Sequence, residues 1–123
     1  MSEQKKKKPH PAALTGAQKR ALRAQAHHMK AIVWVGQNGL TEPVAQAIEA
    51  ALRDHELLKV SLSAGSAKER KIEAAEIGVE TGSLVVQVIG KVGVFYRRKK
   101  KNPVISIPGT ILKEAPPSED TDS

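Results

Sequence analysis

The 123 residues include no cysteine, which excludes disulfides, thiolate chemistry and cysteine-ligated zinc. Aromatic side chains are almost as scarce, with Trp34, Phe95 and Tyr96 as the whole set. A sheet that stacks bases on paired aromatics needs both on one face. Phe95 and Tyr96 are adjacent and therefore point to opposite faces of a strand, and Trp34 is expected to pack in the core beside a turn. No apolar run approaches the roughly 20 residues of a membrane span. The lysines near the N-terminus lead into Pro9-His10-Pro11 instead of a signal-peptide core. A soluble, cytoplasmic protein is the expectation.

Catalytic signatures are missing too. Gly90-Lys91 has Val92 where a phosphate-binding loop needs Ser or Thr, and Val85 where the leading glycine should stand. His27 and His28 are neighbours and cannot share a helix face, and His10 and His55 lack metal-ligand spacing. The carboxylates are mixed with basic residues and suggest no acid/base pair. The expectation is a protein without catalytic activity, cofactor, metal or small-molecule substrate.

What the chain has is positive charge. Twenty Lys and Arg against 13 Asp and Glu give +7 and a pI near 9.8, a balance that favours polyanionic partners, nucleic acid before an anionic membrane. The charge is concentrated: residues 1–30 carry +7 and residues 83–101 carry +6, around a centre close to neutral. Such a pattern is expected if both flanks contribute to one electropositive surface.

The length suits a single domain with tails. Residues 1–11, with Lys5 to Lys8 and two prolines, read as a disordered basic arm, and 109–123 as a disordered acidic tail. Between them the domain spans 12–108. Helical spacing runs from Thr15 to about His28, with Leu14, Ala17, Ala21, Leu22 and Ala24 or Gln25 inward and Lys19, Arg20 and Arg23 on the polar face. Ile32 to Val35 is a short strand. A second helix from Glu42 to Asp54 turns Val44, Ala47, Ile48, Ala51 and Leu52 inward, with Thr41 as N-cap. Leu57 to Leu62 alternates like a strand with one face on a core. A third helix, Ala67 to Glu80, is expected to bury Ile72, Ala75 and Val79 and to stop at Thr81-Gly82. Ser83–Ile89 and Val92–Arg97 form a hairpin across Gly90-Lys91, and Val104 to Ile107 is a candidate edge strand. The order α-β-α-β-α-β-β predicts an α/β domain with a four-stranded mixed sheet packed against helices.

Gly36-Gln37-Asn38-Gly39 lies between the first strand and the second helix. A GxxG at that junction can turn successive N–H groups toward a phosphate, aided by the helix dipole. A tight turn closing an ordinary βα unit explains an isolated GxxG as well. Lys68, Arg70 and Lys71 crowd the start of the third helix, where cations oppose the dipole unless an anion compensates; a solvated face balanced by Glu69 and Glu73 fits equally.

Gly36-Gln37-Asn38-Gly39-Leu40-Thr41, Glu56-Leu57-Leu58-Lys59-Val60, Glu80-Thr81-Gly82 and Gln87-Val88-Ile89-Gly90-Lys91 with Val94-Phe95-Tyr96-Arg97 occur in that order. Together they resemble the motifs of the CRM domain (chloroplast RNA splicing and ribosome maturation), from about Leu14 to Pro108. In size the chain resembles the family's bacterial stand-alone, YhbY-like members. The resemblance implies a fold similar to the C-terminal domain of the third bacterial translation initiation factor. It also implies RNA binding without catalysis, on precursors of the large ribosomal subunit during assembly. Gly36, Gln37, Asn38 and Gly39 would be the RNA-contacting loop, with Lys59, Lys91 and Arg97 at matching basic positions. Lys19, Arg20, Arg23, Lys30, Lys68, Arg70, Lys71, Arg98 and Lys99 complete the candidate RNA-binding set. A monomer that binds large-subunit ribosomal RNA or pre-50S particles is the expected form. A general RNA-binding or RNA-chaperone protein of translation is the alternative.

Overall fold

Residues 14–99, 103, 105, 107 and 108 are described by a computed structural model. The expected arm at 1–11 and tail at 109–123 lie outside these residues, as do Lys100 and Lys101 of the second basic run. The elements run α1 (Gly16–Ala26), β1 (Val33–Trp34), α2 (Glu42–His55), β2 (Leu57–Ser61), α3 (Ala67–Thr81), β3 (Leu84–Ile89) and β4 (Val92–Tyr96), the order that the hydrophobic periods predict. The strands form one sheet in the order β1-β2-β4-β3. β1 and β2 are parallel, while β4 pairs antiparallel with both β2 and β3, so the fold is α/β with a four-stranded mixed sheet.

Both faces of the sheet carry a core. On one, Ile48 and Leu52 of α2 and Ala74 and Ile77 of α3 pack on Val33, Leu58, Val60 and Phe95. On the other, Leu14, Leu22 and Ala26 pack on Leu57, Val86, Val94 and Tyr96, with Ile107. Leu57 and Leu58 thus belong to different layers, and so do Phe95 and Tyr96, because alternate strand residues point opposite ways. β2 was expected to have a core on one face only. It has one on each.

Two helices present other faces than expected. In α1 the buried residues are Gln18, Leu22 and Ala26, spaced by four, while Ala17, Ala24 and Gln25 are exposed. Gln18 is drawn inward by its bonds. Its Oε1 accepts from Thr15 N at 3.0 Å, its backbone N donates to Thr15 Oγ1 at 3.1 Å, and its Nε2 donates to the Pro108 carbonyl at 2.9 Å. The first two bonds make a capping box.

In α3 the expected inward residues face water: Ile72 is 52% and Val79 75% exposed, and Ala75 is exposed as well. Glu73, Ala74, Ile77, Gly78 and Thr81 are buried instead. Glu73 closes the β2–α3 loop, its carboxylate accepting from Ser63 N, from Ser63 Oγ at 2.7 Å and from Ala64 N at 3.0 Å. A buried carboxylate is tolerable only with such partners. Gly78 permits close approach to β3, since a Cβ there would lie 3.1 Å from the Ser83 carbonyl oxygen and 3.3 Å from Val85 Cγ2. In α2, Ile48 and Leu52 are buried as expected, but Ala47 is exposed.

Glu56, between α2 and β2, is fully buried with φ 64°, a left-handed conformation that side chains with a Cβ seldom adopt. Its carbonyl accepts from Arg97 N at 2.8 Å, and its carboxylate accepts from Lys99 N at 2.6 Å and Ile105 N at 2.7 Å. These bonds hold the segment after β4 against the α1 layer. Ile105 and Ile107, the described residues of the expected edge strand at 104–107, are not in strand conformation. Ile107 is a core residue.

Candidate nucleic-acid interface

Parallel strands put their carboxyl ends at the same edge of a sheet. At that edge β1 and β2 end, β3 turns into β4, and both α2 and α3 begin. Three connections therefore converge: Gly36–Gly39, the loop after β2, and Gly90-Lys91. Val35 N donates to the Ser61 carbonyl at 2.9 Å and Leu62 N to the Lys91 carbonyl at 2.6 Å, which tie the first and last of them to β2.

The GxxG forms a tight turn. Gly39 N donates to the Gly36 carbonyl at 3.0 Å, and Thr41 N to the Gly39 carbonyl at 2.9 Å. Gly39 has φ 75°, which only glycine adopts without strain. Gly36, Gln37 and Asn38 are exposed, and among the described residues the N–H groups of Gln37 and Asn38 have no acceptor. Thr41 occupies the N-cap of α2, but its hydroxyl makes no cap bond, so among the described residues the N–H groups of Glu42 and Val44 are open too, Pro43 having none. Such an arrangement can hold an anion by backbone donors. A shallow groove beside it, lined by Glu42, Glu49 and Glu80, repels polyanions.

The candidate basic residues are distributed over two edges and one face of the sheet. Lys68 and Lys71, on the first turns of α3, and Lys91 are exposed at the GxxG edge. Arg70 is nearby, but its Nη1 donates to the Ala64 carbonyl at 3.1 Å. Lys59 is half-buried on the face that α1 partly covers; Lys19, Arg20 and Arg23 lie on α1 itself. Lys30 precedes β1. Arg97, Arg98 and Lys99 follow β4 and leave the sheet at the opposite edge. Arg97 is held by Glu49 and Thr81. Of the second basic flank, Lys91 thus stands at the GxxG end of the sheet and Arg97, Arg98 and Lys99 at the other.

Among the described residues no three metal-ligating side chains stand together and no helix is long and apolar enough to cross a membrane. The model of the CRS1/YhbY (CRM) domain matches residues 14–97. The chain belongs to this family. A probable RNA-binding protein of Pseudomonas aeruginosa is 40% identical over 89 residues, 72% of this chain and 86% of that one. The probable RNA-binding protein YqeI of Bacillus subtilis is 37% identical over 95 residues, 77% and 99% of the two chains. The solution structure of a hypothetical protein from Staphylococcus aureus matches with a TM-score of 0.70 and 38% identity, over 77% of this chain and 99% of the other. The family match covers all seven elements of the CRM domain described above.

Trp34 departs from its expected place in the core. It is 64% exposed and does not belong to the core. Val33 and Val35 are the buried neighbours, so Trp34 points to the opposite face of the sheet. The four-residue run Ile32 to Val35 is apolar throughout and carries no period to reveal this. Only the parity set by Val60, the partner of Val33 in β2, fixes which residues turn inward.

Proposed function

We propose that this CRM-domain chain is a non-catalytic RNA-binding protein of the cytoplasm that acts on precursors of the large ribosomal subunit. The observation that carries the reading is the exposed GxxG turn, whose Gln37 and Asn38 N–H groups have no acceptor among the described residues, at the edge where two helices begin. Phosphate held by backbone donors fixes register without reading sequence, and flanking lysines add attraction and encounter rate. Lys68, Lys71 and Lys91 are the exposed cations at that edge. The net charge of +7 and the RNA-binding names of the relatives support the same reading.

The test is sedimentation of tagged protein from growing cells on a low-magnesium gradient, with sequencing of crosslinked RNA from each fraction. Crosslinks that peak on large-subunit ribosomal RNA in pre-50S fractions are the expected result. Protein at the top of the gradient with crosslinks scattered over unrelated RNAs would replace the assembly role with a general RNA-binding or chaperone role.

A further inference from the structure

Among the described residues, α1 covers only part of the sheet face on which it packs. α1 packs over Leu57, Val86, Val94 and Tyr96, toward the end of the sheet away from the GxxG turn. The register brings four residues into one line across all four strands in the uncovered part. Trp34 pairs with Ser61, Ser61 with Val92, and Val92 with Ile89. Parity places the whole row on the α1 side, because Val33, Val60 and Val88 contact the opposite core. Trp34 is 64% exposed and Ile89 59%. Strand spacing makes the row about 14 Å long. The row carries two large exposed apolar side chains at its ends, Trp34 and Ile89, with half-buried Ser61 and Val92 between them, and tryptophan is enriched where surfaces bind a partner.

Its surroundings indicate what. Trp34 precedes Gln37, the first open donor of the turn, by three residues, at most about 11 Å along the backbone, so both can act on one bound chain. Lys91, exposed, belongs to the hairpin next to Ile89, and Lys59 lies on the same face one pair along β2. An apolar aromatic surface bordered by anion donors and lysines complements a ligand that is apolar on its faces and anionic along its backbone. A nucleic acid strand with unstacked bases has that chemistry. Inside a duplex both faces of each base are covered by neighbours, so an indole has nothing to stack on except the two terminal pairs.

We propose that Trp34 and the row beside it form a base-stacking platform, and that the RNA taken by this site is single-stranded where it crosses the GxxG edge. The inference rests on the RNA-binding reading and adds its substrate class. Stacking on one aromatic tolerates any base, so the platform selects for unpaired structure and not for sequence.

Trp34 is the only tryptophan, which makes its fluorescence a direct report. The full chain is titrated with a labelled single-stranded RNA of mixed sequence and with a blunt RNA duplex of equal length. Label anisotropy measures binding independently of the indole. The expected result is quenching of Trp34 by the single strand and far less by the duplex. Trp34→Ala and Trp34→Leu should each weaken single-strand binding roughly tenfold, and Trp34→Phe far less. Leu separates stacking from apolar contact in general. Single-strand binding without quenching, or at wild-type affinity in Trp34→Ala, overturns the platform, leaves RNA binding standing and gives the row to a protein partner. Binding of the duplex alone overturns it likewise. Binding of neither RNA overturns both this inference and the RNA reading.

Discussion

The Arg97 guanidinium donates to Glu49 Oε1 at 2.7 Å, and the same nitrogen donates to the Thr81 carbonyl at 2.7 Å. One side chain from the end of the sheet thus joins the middle of α2 to the last residue of α3. The partners are partly exposed, about a third at Glu49, so solvent weakens the ion pair. Arg97→Ala is expected to lower stability by about 1 kcal/mol. A double-mutant cycle with Glu49→Gln should give a coupling of roughly 0.5 kcal/mol in denaturant titrations. Because Arg97 is tied down at the edge away from the GxxG turn, its RNA affinity should change less than that of Lys91→Ala.

Glu73 satisfies three donors of the β2–α3 loop. Glu73→Ala leaves those donors without an acceptor in a half-buried loop, and the expected loss is about 2 to 3 kcal/mol, measured by chemical denaturation. A loss below about 0.5 kcal/mol would mean that water replaces the carboxylate freely.

Gly36 has open space where a Cβ would stand, and Gly39 has φ 75°. Asp is the substitution of choice at both, since it tolerates the left-handed region better than most residues and brings negative charge to the donors. The Gly36→Asp/Gly39→Asp protein should keep most of its Tm and bind RNA at least about tenfold more weakly. Wild-type affinity in the folded variant would remove the turn from the binding site.

Exposed lysines at the same edge act through counterion release. Lys91→Ala and Lys68→Ala should each reduce the slope of log affinity against log salt by roughly 0.7 on single-stranded RNA. An unchanged slope in both would mean that neither lysine contacts phosphate.

The Tyr96 hydroxyl is buried and has no partner among the described residues. Its pKa is pushed up from 10.0 to about 12, first by burial and then by the Glu56 carboxylate. Raising the pKa of an acid in the folded state means that the neutral form is preferred there. The associated stability is complete below pH 10 and is lost as pH rises from 10 toward 12. Tyr96→Phe should remove that dependence, so the variant should gain stability relative to the wild type as pH rises above 10 in thermal melts. At neutral pH the substitution should be neutral or stabilising by up to about 1 kcal/mol, because it removes a polar group that burial leaves unbonded.

Element order, the mixed sheet and the hairpin at Gly90-Lys91 were legible because each rests on a period or a turn signal that needs no tertiary information. The opposite faces of Phe95 and Tyr96 follow from parity alone. The buried face of α3 was not legible. Counting apolar residues favours Ile72, Ala75 and Val79, whereas the fold places inward a carboxylate required by loop donors and a glycine required by β3. Glu56 gives no sign in the sequence that it is buried, since its partners are backbone N–H groups 43 and 49 residues further on. At the candidate site the GxxG turn was readable as a motif. The position of the lysines around it depends on strand order, which no local pattern encodes, and the exposure of Trp34 was hidden in an all-apolar run.

Leu14, before α1, and Ile107, after β4, meet in the same core cluster, and Gln18 is bonded to Pro108. The two extremities of the fold are therefore neighbours across nearly the whole chain. During synthesis α1 emerges first, yet the layer that it builds on the sheet cannot be completed until Ile107 has been made. The helix must wait through almost the entire translation time of the domain before its layer can be complete.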